Sequence, residues 1–269
     1  MTGMPTPDGF AQGVLDSYRS YRSCGTASET ALSKSVRAAG TGRLARPMGH
    51  PAFADLPLGA SEHCDAAVVF LDLAEFTART FWESPESVVW LAQAVLTQLV
   101  EVVDALGGHP LGLRGDGLFA CFGGPDSVSP CIDAAVAIGA CAFALDATES
   151  ALNNLLVQSG LEPVRLRAGA DYGRLDFVQT GIEGASEVNV IGFAANFAAK
   201  CEKKSKSWEL VVGQGLAAHV GNRSLVKEHA DSPKTYQRDY RPASYKFFDV
   251  RWRSIPPHGL GWGLAPCQT

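Results

Sequence analysis

The chain has no Cys-x-x-Cys pair among its seven cysteines, and no HExxH or His–Cys cluster among its six histidines. The spacings that usually hold zinc are therefore missing. GxSxG and GxxxxGK[ST] are also absent, which removes a nucleophile elbow and a Walker A loop. No internal repeat is present. Positive charge is not in excess: 23 Lys and Arg face 28 Asp and Glu, for a net −5. A general nucleic-acid binder needs a basic face, so nucleic acid is not an expected partner. The longest mostly apolar run, Cys131 to Ala147, is interrupted by Asp133 and Asp146. It falls short of the ~20 residues of a membrane span, so no membrane association is expected. The opening MTGMPTPDGF lacks the basic and apolar regions of a secretory signal. With an odd cysteine count, this predicts free thiols in a reducing cytosol and a cytoplasmic protein.

What remains is an ordinary globular composition, 46% hydrophobic and 19% charged over 269 residues, with ample length for a core. Charge is divided along the chain. Residues 51–199 hold nineteen acidic and five basic side chains, and residues 200–246 hold five acidic and ten basic. That division is compatible with a site binding both cations and an anion. Residues 1–60 read as an N-terminal extension with one helix, on which Phe10, Val14, Leu15 and Tyr18 share a face. Residues 254–269 carry no charge, are rich in Gly and Pro, and read as a tail.

Between them the pattern sharpens. Ala66–Leu71 is a short apolar run with β-branched content, expected as a buried strand. Ser84-Pro85 starts a helix whose apolar residues recur every three or four positions until Gly107-Gly108. Arg114-Gly-Asp-Gly117 joins two short strands as a hairpin, and residues 130–147 form a second apolar helix. Val164–Ala170 alternates as a strand, with Gly173–Thr180 expected as its hairpin partner. A helix over 192–203 and strands over 209–212 and 245–250 follow. Hairpins separated by helices predict an α+β fold, with helices covering an antiparallel-rich sheet.

Two carboxylates stand out. Asp72 ends the first strand and Asp116 occupies the hairpin tip; on neighbouring strands they reach one sheet edge. Paired carboxylates suit Mg²⁺ or Mn²⁺, although Gly-Asp-Gly is also ordinary turn chemistry. Asn196 and Lys200, at i and i+4, share one face of the late helix. The basic residues Lys203, Lys204, Lys206, Lys234, Arg238, Arg241 and Lys246 could hold phosphates, or simply face solvent.

FLDLAEF (70–76), Gly115-Asp116, VRLRAGADYG (164–173) and GFAANFAAK (192–200), in that order and spacing, resemble the catalytic domain of class III adenylate and guanylate cyclases. The resemblance spans residues 64–250 and implies a ferredoxin-like sheet covered by helices. It implies that Asp72, Asp116 and the Leu73 carbonyl hold two Mn²⁺ or Mg²⁺ ions. Asn196 would orient the ribose, and Lys200 stands where the family has an arginine that stabilises the transition state. Arg238 and Arg241 are the candidates for a late phosphate contact, and Phe76 closes the first motif beside the nucleotide. Glu75 replaces the usual glycine. The two base-reading positions are Gly112 and Asn189, and neither purine code is present. In this the chain is similar to the pyrimidine cyclases of bacterial Pycsar antiphage systems. The resemblance therefore implies conversion of UTP, or alternatively CTP, to a 3′,5′-cyclic nucleotide. It also implies a homodimer with sites at the subunit interface, and a separate effector that the product activates. A purine cyclase or an inactive interaction module are the remaining alternatives.

Overall fold

A computed structural model describes residues 4–26 and 48–255. The first element is α1 (Pro7–Thr26), with Phe10, Val14, Leu15 and Tyr18 buried along one side. Strand β1 (Ser61–Leu73) follows, then α2 (Phe76–Trp82) and α3 (Pro85–Ala105). The Ser84 hydroxyl caps α3 by accepting from Ser87 N–H, and Gly107 ends the helix region at φ 77°. Strands β2 (His109–Arg114) and β3 (Gly117–Gly123) form the expected hairpin, with Gly115 at φ 64° in its turn. Helix α4 (Pro130–Asp146) runs through a π turn into α5 (Asn153–Gln158).

The second half contains β4 (Leu166–Ile182), β5 (Ala185–Ile191), α6 (Phe193–Lys204), β6 (Leu210–Gly213) and α7 (Gln214–Ala218). It ends with β7 (Val226–Glu228), β8 (Lys234–Arg238), β9 (Arg241–Tyr245) and β10 (Phe247–Val250). The main sheet runs β2-β3-β1-β4-β6-β10-β7, with β5 added to the outer part of β4. Only β4–β6 is parallel in this sheet. The fold is α+β, as expected.

Two expectations need correction. Residues 173–180 are not the hairpin partner of the preceding strand. They continue it, because β1 pairs with β4 from Leu166 to Val178, through Gly173. The hairpin closes later, at Gly184 (φ 80°), onto β5. A glycine inside an alternating run looks like a turn, but long-range pairing carries the strand past it. The expected last strand is also divided: β9 ends at Tyr245 and pairs with β8 in a separate ribbon, which the sequence pattern did not disclose.

Alternation along β1 splits the core in two. Ala67, Val69, Leu71 and Leu73 face α1, α3, α4 and the π turn. Cys64, Ala66 and Val68 face Phe119, Phe177 and the small residues of α6. By length and composition, α3 and the run Pro130–Gln158 could each cross a bilayer. Their apolar faces, however, pack in this core through residues such as Leu91, Leu99, Ile138 and Leu145. Cys64, Cys121, Cys141 and Cys201 are buried free thiols. Cys131 is disulfide-bonded, contrary to the expectation of free thiols throughout.

Helix α6 lies unusually close to the sheet. A Cβ on Gly169 of β4 would overlap the backbone of Ala198 and Glu202, and one on Gly192 would press on the Arg174 carbonyl. These two motif glycines therefore serve the seating of α6.

Candidate active site

Register places the first carboxylate. Asp72 sits opposite Gly117 of β3 on one side and Arg167 of β4 on the other. Leu73 N–H donates to the Asp116 carbonyl at 3.2 Å, tying the end of β1 to the hairpin tip. Burial, and then the charge of Asp72, push the Asp116 carboxyl above its ordinary range, while Arg167 opposes the shift. The two aspartates thus feel each other. Asp116 and Gly115 border a groove of about 830 Å³ together with Phe76 and an exposed strip of α3.

Arg167 was not foreseen as a site residue. Its Nε and Nη2 donate to Asp72 Oδ2 at 3.0 and 2.6 Å. The same Nη2 lies 2.7 Å from Glu202 Oε1, a charge contact without hydrogen-bond geometry. Glu202 is buried on the inner face of α6. Burial raises its carboxyl well above the ordinary range against the pull of Arg167, and the Asp72 carboxyl, by its charge and by a hydrogen bond, adds to the rise. The only sequence signal for this trio was a strand register unknown before folding, together with a helix position two residues beyond Lys200.

Among the described residues no group of three or more His, Cys, Asp or Glu side chains is gathered as a ready metal site. The donor set here is a pair of carboxylates near the end of β1, the oxygen chemistry that divalent cations take, with a guanidinium standing as a cation at Asp72 Oδ2. Asp72, Asp116 and the adjoining Leu73 backbone are the groups that could hold them.

Asn196 and Lys200 do not join this cluster. Both are exposed on α6. At 100° per residue, Lys200 lies about 200° around the helix from Glu202, so it faces away from Asp72. Lys200 Nζ donates to the Tyr236 hydroxyl at 3.0 Å and lies 5.0 Å from the centre of its ring. Beside it is a cavity of about 580 Å³ bordered by Lys203, Lys204, Lys234 and Asp231. Lys204 is paired with Asp231 at 2.7 Å. Arg238 and Arg241 face each other at the exposed tip of the β8–β9 ribbon, whose turn uses Asp239 and Tyr240 at positive φ. The structure gives them no contact with Asp72 or Asp116.

Gly112 is buried on β2, and a Cβ there would meet the Arg114 guanidinium at an ordinary 3.6 Å. Asn189 is half-buried on β5, where its Oδ1 accepts from Val190 N–H at 2.9 Å. Its NH₂ makes no hydrogen bond to another described residue, and its oxygen keeps a second lone pair. Glu75 adopts φ 62°, which explains why a glycine is favoured there, and its carboxylate pairs with Arg165 at 2.6 Å.

Comparison with known proteins agrees with this architecture. The guanylyl cyclase Cya2 superimposes with TM-score 0.60 at 22% identity, covering 72% of this chain and 94% of that one. The adenylyl cyclase CyaB from P. aeruginosa gives 0.61 at 18%, covering 71% and 95%. In sequence, a cytidylate cyclase from Escherichia coli is 25% identical over 233 residues, 78% of this chain and 50% of that protein. A cytidylate cyclase from Staphylococcus aureus is 23% identical over 175 residues, 64% and 41%. The chain thus spans half or less of the length of these two relatives. The model of the adenylate and guanylate cyclase catalytic domain matches residues 58–231, more than half of the chain, and the chain belongs to that family.

Proposed function

We propose that the protein cyclises a pyrimidine nucleoside triphosphate, working as a homodimer with two sites, each shared between subunits. In the reaction the ribose 3′-hydroxyl gives up its proton to solvent, its oxygen bonds to the α-phosphorus, the bond from that phosphorus to the bridging oxygen breaks, and pyrophosphate leaves. One observation supports the shared site above all. Asp72 is linked through Arg167 to Glu202 on the inner side of α6, while Lys200 projects from the outer side, so one chain presents the carboxylate and the ammonium on different faces of that helix. A two-fold pairing of identical chains can bring one half of each together.

Asp72 and Asp116 would hold Mg²⁺ or Mn²⁺. When bound, such ions lower the pKa of the 3′-hydroxyl and neutralise charge on the departing pyrophosphate. The Asn196 amide would hydrogen-bond the ribose of the partner's nucleotide and fix the attacking oxygen. The Lys200 ammonium, steadied over the Tyr236 ring, would meet charge developing at the α-phosphate. Lys203, Lys204 and Lys234 would offset the triphosphate charge. A lysine at position 200 supplies charge without the bidentate fork of an arginine.

Base choice rests on Asn189. With Oδ1 engaged by Val190 N–H, its NH₂ is the more available group, although Oδ1 keeps a lone pair. A donor matches O4 of uracil, where cytosine carries an amino group, and this favours UTP. The names of the bacterial relatives favour CTP as the second reading. The cyclic product would serve as a messenger for a separate effector in antiphage defence.

The test offers all four triphosphates with Mn²⁺ and identifies the cyclic product. Cyclic UMP is expected, cyclic CMP selects the second reading, and a purine product overturns the pyrimidine assignment. Mixing Asp72→Ala with Lys200→Ala, each strongly impaired alone, tests the shared site. Random re-pairing of equal amounts gives half heterodimers, each with one intact site, so about a quarter of wild-type activity should return. No recovery overturns the shared arrangement.

A further inference from the structure

We propose that Arg167 is a built-in competitor for the cation at Asp72, and that Glu202 is the positioning residue that draws it aside. This rests on the assignment of Asp72 as a metal ligand.

Both Nε and Nη2 of Arg167 converge on the single oxygen Oδ2 of Asp72, at 3.0 and 2.6 Å. A dication at that oxygen would need the same lone pairs and would meet a fixed positive charge. Arg167 must therefore give way before Asp72 can offer Oδ2, or both of its oxygens, to a cation, because Oδ1 is the only carboxylate oxygen it leaves free. A guanidinium released into a partly buried site without a partner would be costly. Glu202 removes that cost. Its Oε1 already stands 2.7 Å from Arg167 Nη2, and its side chain is 9% exposed, so the carboxylate has little solvent to compete for it. Glu202 comes from α6, which Gly169 seats on β4 two residues from Arg167. The trio therefore has two pairings available to the guanidinium: with Asp72 and Glu202 together, as the structure shows, or with Glu202 alone when a cation takes Asp72. The position of α6 on the sheet consequently sets how readily the site loads.

Mn²⁺ affinity without nucleotide, measured by the EPR signal of free Mn²⁺, reads this directly. Glu202→Gln leaves the guanidinium only Asp72 as a charged partner and should weaken Mn²⁺ binding by about fivefold, within the usual coupling of an ion-pair network. Arg167→Met removes the competitor and should tighten binding. The decisive measurement is the double variant. Glu202→Gln should lose most of its effect when Arg167 is Met, because there is nothing left to draw aside. An equal weakening in both backgrounds would mean that Glu202 acts as a through-space charge or as a further ligand, and would overturn the proposal. Should Arg167→Met fail to fold, as judged by near-UV circular dichroism, Arg167→Gln removes the charge with a polar side chain. The effect of Glu202→Gln should then be largely lost, and an undiminished effect is the overturning result. Failure of the wild-type chain to bind Mn²⁺ would instead remove the metal assignment, and this proposal with it, so the two failures are distinguishable.

Discussion

On the inner side of α6, Glu202 is buried against Arg167, and Ala194, Ala198 and Cys201 pack on the sheet and beside β6. On the outer side, Asn196 and Lys200 stand in solvent, and the only hydrogen bond Lys200 makes to a side chain described here is the one to Tyr236. One helix therefore carries two kinds of polar group. The inner charges are held by neighbours whose positions the fold dictates, and each has an opposite charge close by. The outer ones are poorly satisfied within the chain and available to something that arrives. A buried charge needs its partner supplied by the fold, while an exposed one can wait for a ligand.

Substitutions can break that comparison. The largest effect is expected for Asp72→Ala, which leaves Arg167 paired with Glu202 and the fold intact. Cyclic product should fall by about 10³-fold or more in a Mn²⁺-dependent turnover assay. Gly169→Ala attacks the contact that separates the two faces. A Cβ there collides with the α6 backbone, so the loss should reach or exceed the ~1–3 kcal/mol of ordinary overpacking, read as a lowered Tm. Lys200→Ala should reduce kcat by about 10²-fold with little change in Tm, because its side chain is exposed. Lys200→Arg should keep activity. A large fall in Tm for Lys200→Ala would erase the distinction between the faces.

A buried acid on β4 sharpens the comparison by pH. Asp171 accepts from Tyr172 N–H and Leu216 N–H through Oδ1, while its buried Oδ2 has no partner. Burial raises its carboxyl to about 7 despite these hydrogen bonds. The folded chain thus binds this proton more tightly than the unfolded chain. The stability it contributes is full at about pH 4 and below, and is lost as pH rises towards 7. Urea denaturation across pH 4–8 should show Asp171→Asn with a flatter profile than wild type over that window. The smallest effect is expected at Glu75. Glycine would relieve a left-handed conformation costing about 1 kcal/mol and lose an exposed ion pair worth about 0–1 kcal/mol. Glu75→Gly should therefore raise Tm slightly or leave it unchanged, whereas Glu75→Ala should lower it.

Much of this was legible before folding. The Ser84 cap, the apolar period of α3, the turn at Gly115 and the placing of Asn196 and Lys200 on one helix, both exposed, are local signals, and each appears in the structure. Asp72 and Asp116 were singled out from strand-end and turn positions, and register does bring them within each other's field. The β8–β9 ribbon was missed, because its exposed polar residues carry no apolar alternation.

The sequence by itself determined the elements and the chemical types at their ends, since periodicity and turn residues act over a few positions. Only the tertiary structure decided that Arg167 lies across β1 from Asp72, that Glu202 meets it from α6, and that Lys200 looks the other way. Those relations depend on register between strands ninety-five positions apart and on how deeply a helix settles over Gly169. Such distances are set by packing and are not written in any local pattern.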